Sequence, residues 1–128
     1  MTTHTIRFAV SDTVSLVADC RGPEDGAPVL LLHGGGQTRW SWGRTAQALA
    51  EVGLRVHALD LRGHGESDWC PDGEYTLDHF ADDLRRVIEQ FSMPPVVVGA
   101  SLGGLSSLLA CGEGPMSACA ALVLVDIS

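Results

Sequence analysis

A serine lies at the centre of the pentapeptide GASLG, residues 99–103, which fits the pattern G-x-S-x-G. An apolar run precedes this pentapeptide and a helical pattern follows it, so Ser101 is expected at a turn from strand to helix. Such a turn leaves no room for side chains two residues before and after the serine, which accounts for the glycines. The turn raises the hydroxyl above the sheet, among free N–H groups at the start of the new helix. This setting is that of a serine nucleophile in acyl transfer.

Three consecutive glycines, residues 34–36, follow His33 at the end of another apolar run. Consecutive glycines let the backbone approach a ligand closely and direct N–H groups toward it. Acyl transfer needs two such donors where negative charge develops on the oxygen. We expect the N–H of Leu102, directly after the serine, to supply one donor. We expect the N–H of Gly35 to supply the other, with Gly36 as the alternate.

A third motif, DLRGHGES at residues 60–67, also follows an apolar run. Its glycines and short polar or charged side chains suit a turn of fixed conformation. No catalytic role is assigned to it. We interpret it as a scaffold turn in which Asp60 and Arg62 are hydrogen-bonded.

The elements that carry these motifs alternate between strand and helix patterns. Strands are predicted at 5–10, 13–20, 28–33, 54–61, 95–100 and 121–128, and helices at 40–52, at 76–91 with Thr76 as N-cap, and directly after the GASLG turn. The first two strands, separated by Ser11 and Asp12, form a hairpin. The later strands are apolar throughout, as strands buried on both faces are. The pattern predicts an α/β fold with a mostly parallel sheet, helices on both faces and an N-terminal antiparallel hairpin.

Taken together, the three motifs resemble the α/β-hydrolase fold family. Its members carry His-Gly after the third strand, an Asp-x-Arg-Gly-His-Gly-x-Ser type of turn after the fourth and the nucleophile elbow after the fifth. The resemblance runs from the first hairpin to the sixth strand, and it implies a single, incomplete α/β-hydrolase domain over residues 1–128, truncated after about six strands. By this resemblance Ser101 is the nucleophile, Gly35 and Leu102 form the oxyanion hole, and an ester or related acyl compound is hydrolysed through an acyl-enzyme. A serine at the elbow disfavours the dehalogenase and epoxide-hydrolase branches, which use aspartate there.

The sequence departs from this family in its histidines. The family order is serine, then an acid, then histidine, whereas all five histidines here precede Ser101. Asp126, at the end of the sixth predicted strand, is the candidate acid, although a structural role explains it better, and Glu113 is a weaker candidate. His33 and His64 are considered as substitute bases, but the resemblance implies that His33 positions the oxyanion loop, and neither histidine is expected to act as the base. A serine without a base is a poor nucleophile, so the chain alone is expected to be nearly inactive.

Two alternatives stay open. The missing histidine supports a non-catalytic hydrolase-like module or a truncated gene product. The apolar sixth strand, which nothing later covers, predicts the front part of a longer domain or a protein whose missing part comes from elsewhere. The stretch VVVGASLGG also resembles the Gly-Ala-Ser segment of short-chain dehydrogenases, in which Asp126 would bind a ribose hydroxyl of NAD(P). Against that second alternative, Leu105 occupies the third glycine position, and the other two motifs go unexplained.

Composition restricts the partners. The 128 residues carry eight basic and sixteen acidic side chains, a net charge of −8, which disfavours nucleic acid and anionic membranes. All eight basic residues are arginine, so Schiff-base and P-loop lysines are excluded. No apolar run has signal-peptide or transmembrane length, which predicts a cytoplasmic protein. We expect a small-molecule acyl substrate, no cofactor and no metal, and leave the oligomeric state open.

Three smaller groups of side chains complete the predictions. The four cysteines are scattered without a Cys-x-x-Cys pair, which predicts free thiols and neither disulfides nor a zinc site. Asp78, Asp82 and Asp83 are interpreted as a solvated helix face. Trp40 and Trp42 either line a substrate pocket or pack the first helix on the sheet, with equal weight.

Overall fold

The computed structural model describes residues 3–112 and 119–125. Within these residues the strands are β1 (His4–Ala9), β2 (Ser15–Arg21), β3 (Pro28–Leu32), β4 (Arg55–Leu59), β5 (Val96–Ala100) and β6 (Ala121–Val125). The α-helices are α1 (Gly43–Glu51), α2 (Leu77–Glu89) and α3 (Leu102–Gly112), and a 3-10 turn, Arg39–Trp42, leads into α1. None of these helices is both long and apolar enough to cross a bilayer.

All six strands form one sheet, in the order β1-β2-β4-β3-β5-β6. β1 pairs antiparallel with β2, and β2 pairs antiparallel with β4. The strands from β4 to β6 are parallel to their neighbours. The predicted mostly parallel sheet with an N-terminal antiparallel hairpin is therefore confirmed. Parallel strands end at the same edge, so the segments after β3, β4 and β5 meet there.

Both faces of the sheet are covered, as predicted. Along β3, Leu30 and Leu32 belong to a large apolar cluster that includes one face of α2. Val29 and Leu31 point the other way, into a smaller cluster with α1, because successive side chains of a strand alternate between faces. Trp42 packs against this smaller cluster, which favours the packing interpretation for that residue.

The helix α2 begins as its sequence predicts. The Thr76 side chain accepts a hydrogen bond from the His79 N–H at 3.3 Å, and the His79 side chain reaches back to the Thr76 backbone. This capping box satisfies N–H groups that have no partner inside the helix. The apolar face of α2 then packs on the sheet through Phe80, Leu84 and Val87.

The prediction of four free thiols is wrong for one pair. Cys111, near the end of α3, forms a disulfide with Cys119, just before β6, across a Cα–Cα distance of 6.4 Å. The β5–α3–β6 crossover brings these two positions together, which a separation of eight residues does not reveal. Cys20 and Cys70 are free.

Candidate active site

Ser101 lies between β5 and α3 with a φ of 51°, alone among the described non-glycine residues in having a positive φ. A Cβ at Gly99 would lie 2.6 Å from the carbonyl oxygen of Gly103. A Cβ at Gly103 would lie 2.5 Å from the carbonyl oxygen of Leu32. Both distances exclude a side chain, so the glycines of the pentapeptide are required by close backbone approach. The left-handed conformation of a serine costs about 1–3 kcal/mol and is typical of a functional turn.

Hydrogen bonds from three elements hold this turn. The N–H of Ser101 donates to the carbonyl of Val125 at 3.1 Å, at the end of β6. The Ser101 carbonyl accepts from the N–H of Leu105 at 2.9 Å, so α3 begins at once. The N–H of Gly103 donates to the carbonyl of His33 at 3.1 Å. The backbone is therefore fixed on both sides, while residue 101 itself is exposed.

The triglycine loop, residues 34–36, lies against this turn. A Cβ placed on Gly34 would lie 3.3 Å from the Cβ of Ser101, and one on Gly35 would lie 3.7 Å from the Cβ of Leu102. The structure thus brings together the three residues that the sequence predicts for the site, Ser101, Gly35 and Leu102.

The three amides of this loop differ in their hydrogen bonds. The N–H of Gly34 donates to Oε1 of Gln37 at 2.9 Å, and the N–H of Gly36 donates to Nε2 of His64 at 3.0 Å. Within residues 3–112 and 119–125, no acceptor is bonded to the N–H of Gly35 or to that of Leu102. The geometry therefore favours Gly35 over its alternate, Gly36, as an oxyanion donor.

Both histidines near the turn are occupied by backbone groups. His33 is fully buried; its Nδ1–H donates to the carbonyl of Gly34 at 2.7 Å, and its Nε2 accepts the N–H of Leu61 at 3.0 Å. In His64, Nδ1–H donates to the carbonyl of Arg62 at 3.0 Å, and Nε2 accepts from the triglycine loop. Burial lowers the pKa of His33 and favours its neutral form. Neither ring offers a free nitrogen to Ser101, so the geometry does not support a substitute base.

The DLRGHGES motif forms a turn around the carboxylate of Asp60, which is fully buried. This carboxylate accepts the N–H of Arg39 at 2.6 Å and the N–H of Glu66 at 3.0 Å. Gly65 has a φ of 51°, and a Cβ there would collide with the Asp60 carboxylate. The hydroxyl of Ser67 donates to the carbonyl of Asp60 at 2.6 Å. The predicted scaffold turn with a hydrogen-bonded Asp60 is confirmed.

Arg62 joins the same turn to α2. Its guanidinium donates two hydrogen bonds of 2.8 Å to the carboxylate of Asp83 and a third of 2.8 Å to the carbonyl of Glu74. Asp83 is buried, so its interpretation as part of a solvated face is wrong, whereas Asp78 and Asp82 are exposed. Burial raises the pKa of the Asp83 carboxyl, and the ion pair with Arg62 opposes that rise.

Sequence reasoning missed Arg39, which follows the triglycine loop and is buried. Its guanidinium pairs with Asp19 at 3.1 Å, with Glu66 at 2.6 Å and with the carboxylate of Asp60. The ring of Trp40 covers it, with the guanidinium carbon 4.1 Å from the ring centroid. No motif surrounds this arginine, and its partners come from β2 and from the turn after β4, so only the fold reveals it.

Two residues predicted from the sequence are not placed. Asp126, the candidate acid, and Glu113, the weaker candidate, lie outside the described residues. The assignment of an acid to this site therefore stays a prediction from the sequence.

Comparisons with known proteins identify the family of the chain. Residues 27–128 match the family model described as the alpha/beta hydrolase fold. The chain is 38% identical over 101 residues to esterase Rv0045c of Mycobacterium tuberculosis, covering 78% of this chain and 33% of that protein. It is 32% identical over 108 residues to protein phosphatase methylesterase 1 of Bos taurus, covering 80% of this chain and 28% of that protein. The chain thus spans about a third of the length of these relatives.

A solved structure agrees with the arrangement of the elements. The esterase EaEST from Exiguobacterium antarcticum superimposes with a TM-score of 0.85 at 27% identity. The match covers 94% of this chain and 44% of that structure's chain.

Proposed function

Because the chain belongs to the α/β-hydrolase fold family, we propose that it forms the nucleophile-bearing part of a serine hydrolase. The reaction is hydrolysis of an ester or related acyl compound through an acyl-enzyme. One observation carries this proposal: an exposed serine at a left-handed turn lies beside two backbone N–H groups, of Gly35 and Leu102, that have no acceptor among the described residues. The esterase and methylesterase named above support the same class of substrate.

The geometry suggests how the chain's own residues would act. The Oγ of Ser101 attacks the acyl carbon, and the carbonyl oxygen gains the negative charge of a tetrahedral intermediate. The N–H groups of Gly35 and Leu102 donate to that oxygen, assisted by the positive end of α3. Collapse of the intermediate expels the alkoxide and leaves an acyl-serine, which water then hydrolyses.

Proton transfer is the step that the described residues do not complete. Ser101 must lose a proton as it attacks, and the leaving alkoxide must gain one. His33 and His64 are both engaged with backbone groups, and the sequence has no histidine after Ser101, where the family carries its base. We therefore expect this chain alone to turn over substrate about 10⁴-fold or more below a complete triad. Asp126 stays a candidate for the acid.

The engagement of His33 and His64 with backbone groups supports a second candidate function, a non-catalytic hydrolase-like module that keeps the fold without turnover. A dinucleotide-binding dehydrogenase lacks comparable support. The chain matches the hydrolase family, and the triglycine loop and the turn around Asp60 are hydrogen-bonded parts of its site, whereas the dehydrogenase alternative leaves both motifs unexplained.

The test is labelling of the purified chain with a fluorophosphonate, which phosphonylates an activated serine and expels fluoride. Peptide mapping locates the label. Because no base activates Ser101 among the described residues, we expect slow labelling at Ser101, none in Ser101→Ala and the same slow rate in Ser92→Ala, a matched control at an exposed serine in the loop after α2. Label of equal extent in wild type and Ser101→Ala would overturn the proposal. No label in any variant would favour the non-catalytic module.

A further inference from the structure

Among the described residues, the triglycine loop has one amide without an acceptor, that of Gly35, between two amides that are hydrogen-bonded. The amides of Gly34 and Gly36 each donate to a side-chain acceptor, Gln37 Oε1 at 2.9 Å and His64 Nε2 at 3.0 Å. Gln37 belongs to the loop itself, and its own N–H donates to the Gly34 carbonyl at 3.1 Å. His64, in contrast, comes from the turn after β4. It therefore ties Gly36, at the far end of the loop, to the turn after β4, and the N–H of Arg39, three residues later, donates to Asp60 of the same turn.

The surroundings of His64 determine which ring nitrogen accepts. Its Nδ1 faces the carbonyl oxygen of Arg62 at 3.0 Å, an acceptor only, so Nδ1 carries the hydrogen. Nε2 then holds the lone pair that faces the N–H of Gly36. The ring lies near those of His33 and Phe80, with centroid distances of 4.9 Å and 6.3 Å.

The backbone turn that holds the His64 ring is itself fixed by hydrogen bonds. The backbone that it binds belongs to Arg62, whose guanidinium makes two 2.8 Å hydrogen bonds to Asp83 on α2. The turn is closed further by the N–H of His64, which donates to the Leu61 carbonyl at 3.0 Å. A chain of fixed contacts thus runs from α2 through the turn to the triglycine loop.

The conformation of Gly36 indicates what this hydrogen bond does. Its φ is 78°, and a Cβ there would meet nothing within 4 Å. A glycine is therefore favoured at this position by the left-handed backbone conformation, and not by a lack of space for a side chain. In that conformation the Gly36 amide is bound to His64, and a Cβ built on the neighbouring Gly35 would lie 3.7 Å from the Leu102 side chain. Loss of the acceptor would leave the end of the loop without this anchor.

We propose that His64 is a positioning residue, whose Nε2 holds the Gly36 amide and thereby presents the Gly35 amide beside that of Leu102 as an oxyanion donor. This inference rests on the proposed function, since a presented amide matters to chemistry only where Ser101 is acylated. His64 itself touches neither the substrate nor the reacting atoms.

Two substitutions separate the acceptor from the rest of the ring. His64→Gln keeps an oxygen acceptor near the position of Nε2, whereas His64→Asn keeps only a donor near the position of Nδ1. Both variants lose the aromatic ring and its packing, so each is the control for the other. Thermal melts of both variants report whether the fold is retained.

The first measurement needs no variant and no activity. NMR of the ¹⁵N-labelled full chain is expected to show a scalar coupling across the hydrogen bond from the Gly36 N–H to His64 Nε2. The Gly36 amide should exchange with solvent at least about tenfold more slowly than that of Gly35. Absence of this coupling, or equal exchange of the two amides, would overturn the proposal.

The second measurement is the fluorophosphonate labelling rate at Ser101. Loss of one oxyanion donor costs about 10²–10³ in rate, and a displaced donor costs part of this, so His64→Asn should label at least about tenfold more slowly than His64→Gln. Equal, measurable rates in two folded variants would overturn the proposal. If wild type takes no label, the proposed function fails, and the coupling and exchange of the Gly36 amide still decide whether His64 positions the loop.

Discussion

The imidazoles of His33 and His64 lie 4.9 Å apart, and each accepts a backbone N–H from the segment that carries the other. Nε2 of His33, before the triglycine loop, binds the N–H of Leu61 in the Asp60 turn. Nε2 of His64, in that turn, binds the N–H of Gly36 in the loop. The two segments after β3 and β4 are thus joined reciprocally, and each bond requires a neutral ring, because a protonated Nε2 has no lone pair to accept with.

Stability should therefore fall in mild acid. Burial lowers the pKa of His33, and burial also lowers the pKa of His57, so both take up protons more readily in the unfolded chain. The stability they contribute is fully present above about pH 6.5, the value in an unfolded chain, and is lost as pH falls from there toward the folded pKa values.

Urea titrations at about pH 7.5 and about pH 5.5 measure this effect. We expect a lower free energy of unfolding at the acidic pH, with less change in His57→Gln than in wild type. His4→Gln, an exposed control at the start of β1, should retain the full change. A free energy of unfolding that is constant or rises on acidification would contradict this account.

The left-handed backbone at Ser101 should lower the free energy of unfolding, and a glycine at this position should remove that strain. Its φ of 51° suits glycine and not serine or alanine. We expect Ser101→Gly to be more stable than Ser101→Ala by about 1 kcal/mol, measured by urea denaturation. Equal stability of the two variants would show that the backbone at this position is not strained.

Gly65 should be less replaceable than Gly73, although both have positive φ values, 51° and 67°. A Cβ at Gly73 meets nothing within 4 Å, so Gly73→Ala should cost only the left-handed conformation, about 1–2 kcal/mol. A Cβ at Gly65 collides with the buried Asp60 carboxylate, and Gly65→Ala should cost about 1–3 kcal/mol more. Equal losses in the two variants would mean that the Asp60 turn is looser than this geometry implies.

The disulfide should be visible by counting thiols. In the unfolded, unreduced chain we expect two reactive thiols, Cys20 and Cys70, and four after reduction. The double variant Cys111→Ser with Cys119→Ser should lose about 2–3 kcal/mol of stability, because a short loop is no longer closed in the unfolded chain. Cys70→Ser is the control, with one thiol fewer and little loss. Four reactive thiols without reduction would contradict the pairing.

Local patterns predicted most of the fold. The capping box at Thr76 and the apolar face of α2 lie within one segment of the chain. The glycines of GASLG are required because neighbouring backbone atoms leave no room for a Cβ. Hydrophobic periodicity and turn chemistry act over such short distances, so they can be read from neighbouring residues. Ser101, Gly35 and Leu102, the three residues predicted for the active site, lie together because the parallel strands β3 and β5 end at one edge of the sheet.

Contacts between distant segments were beyond these patterns. Arg39 and Asp60 are 21 residues apart and meet only when β3 and β4 pair. The Cys111–Cys119 bond spans only eight residues, but no Cys-x-x-Cys spacing or other local pattern indicates that pairing. Asp83 is a different case, because it shares a helix face with Phe80 and Leu84 and its burial could have been predicted from the helical periodicity. A buried carboxylate also needs a partner, and that partner, Arg62, lies in another segment.

We propose that Ser101 is a nucleophile beside the N–H groups of Gly35 and Leu102, and that the described residues supply it with no base. The most direct measurement is its fluorophosphonate labelling rate as free imidazole is added to supply that base. We predict a rate that rises with imidazole concentration in wild type and Ser92→Ala, with label mapped to Ser101 and none in Ser101→Ala. A rate independent of imidazole, or label that persists in Ser101→Ala, would contradict the claim.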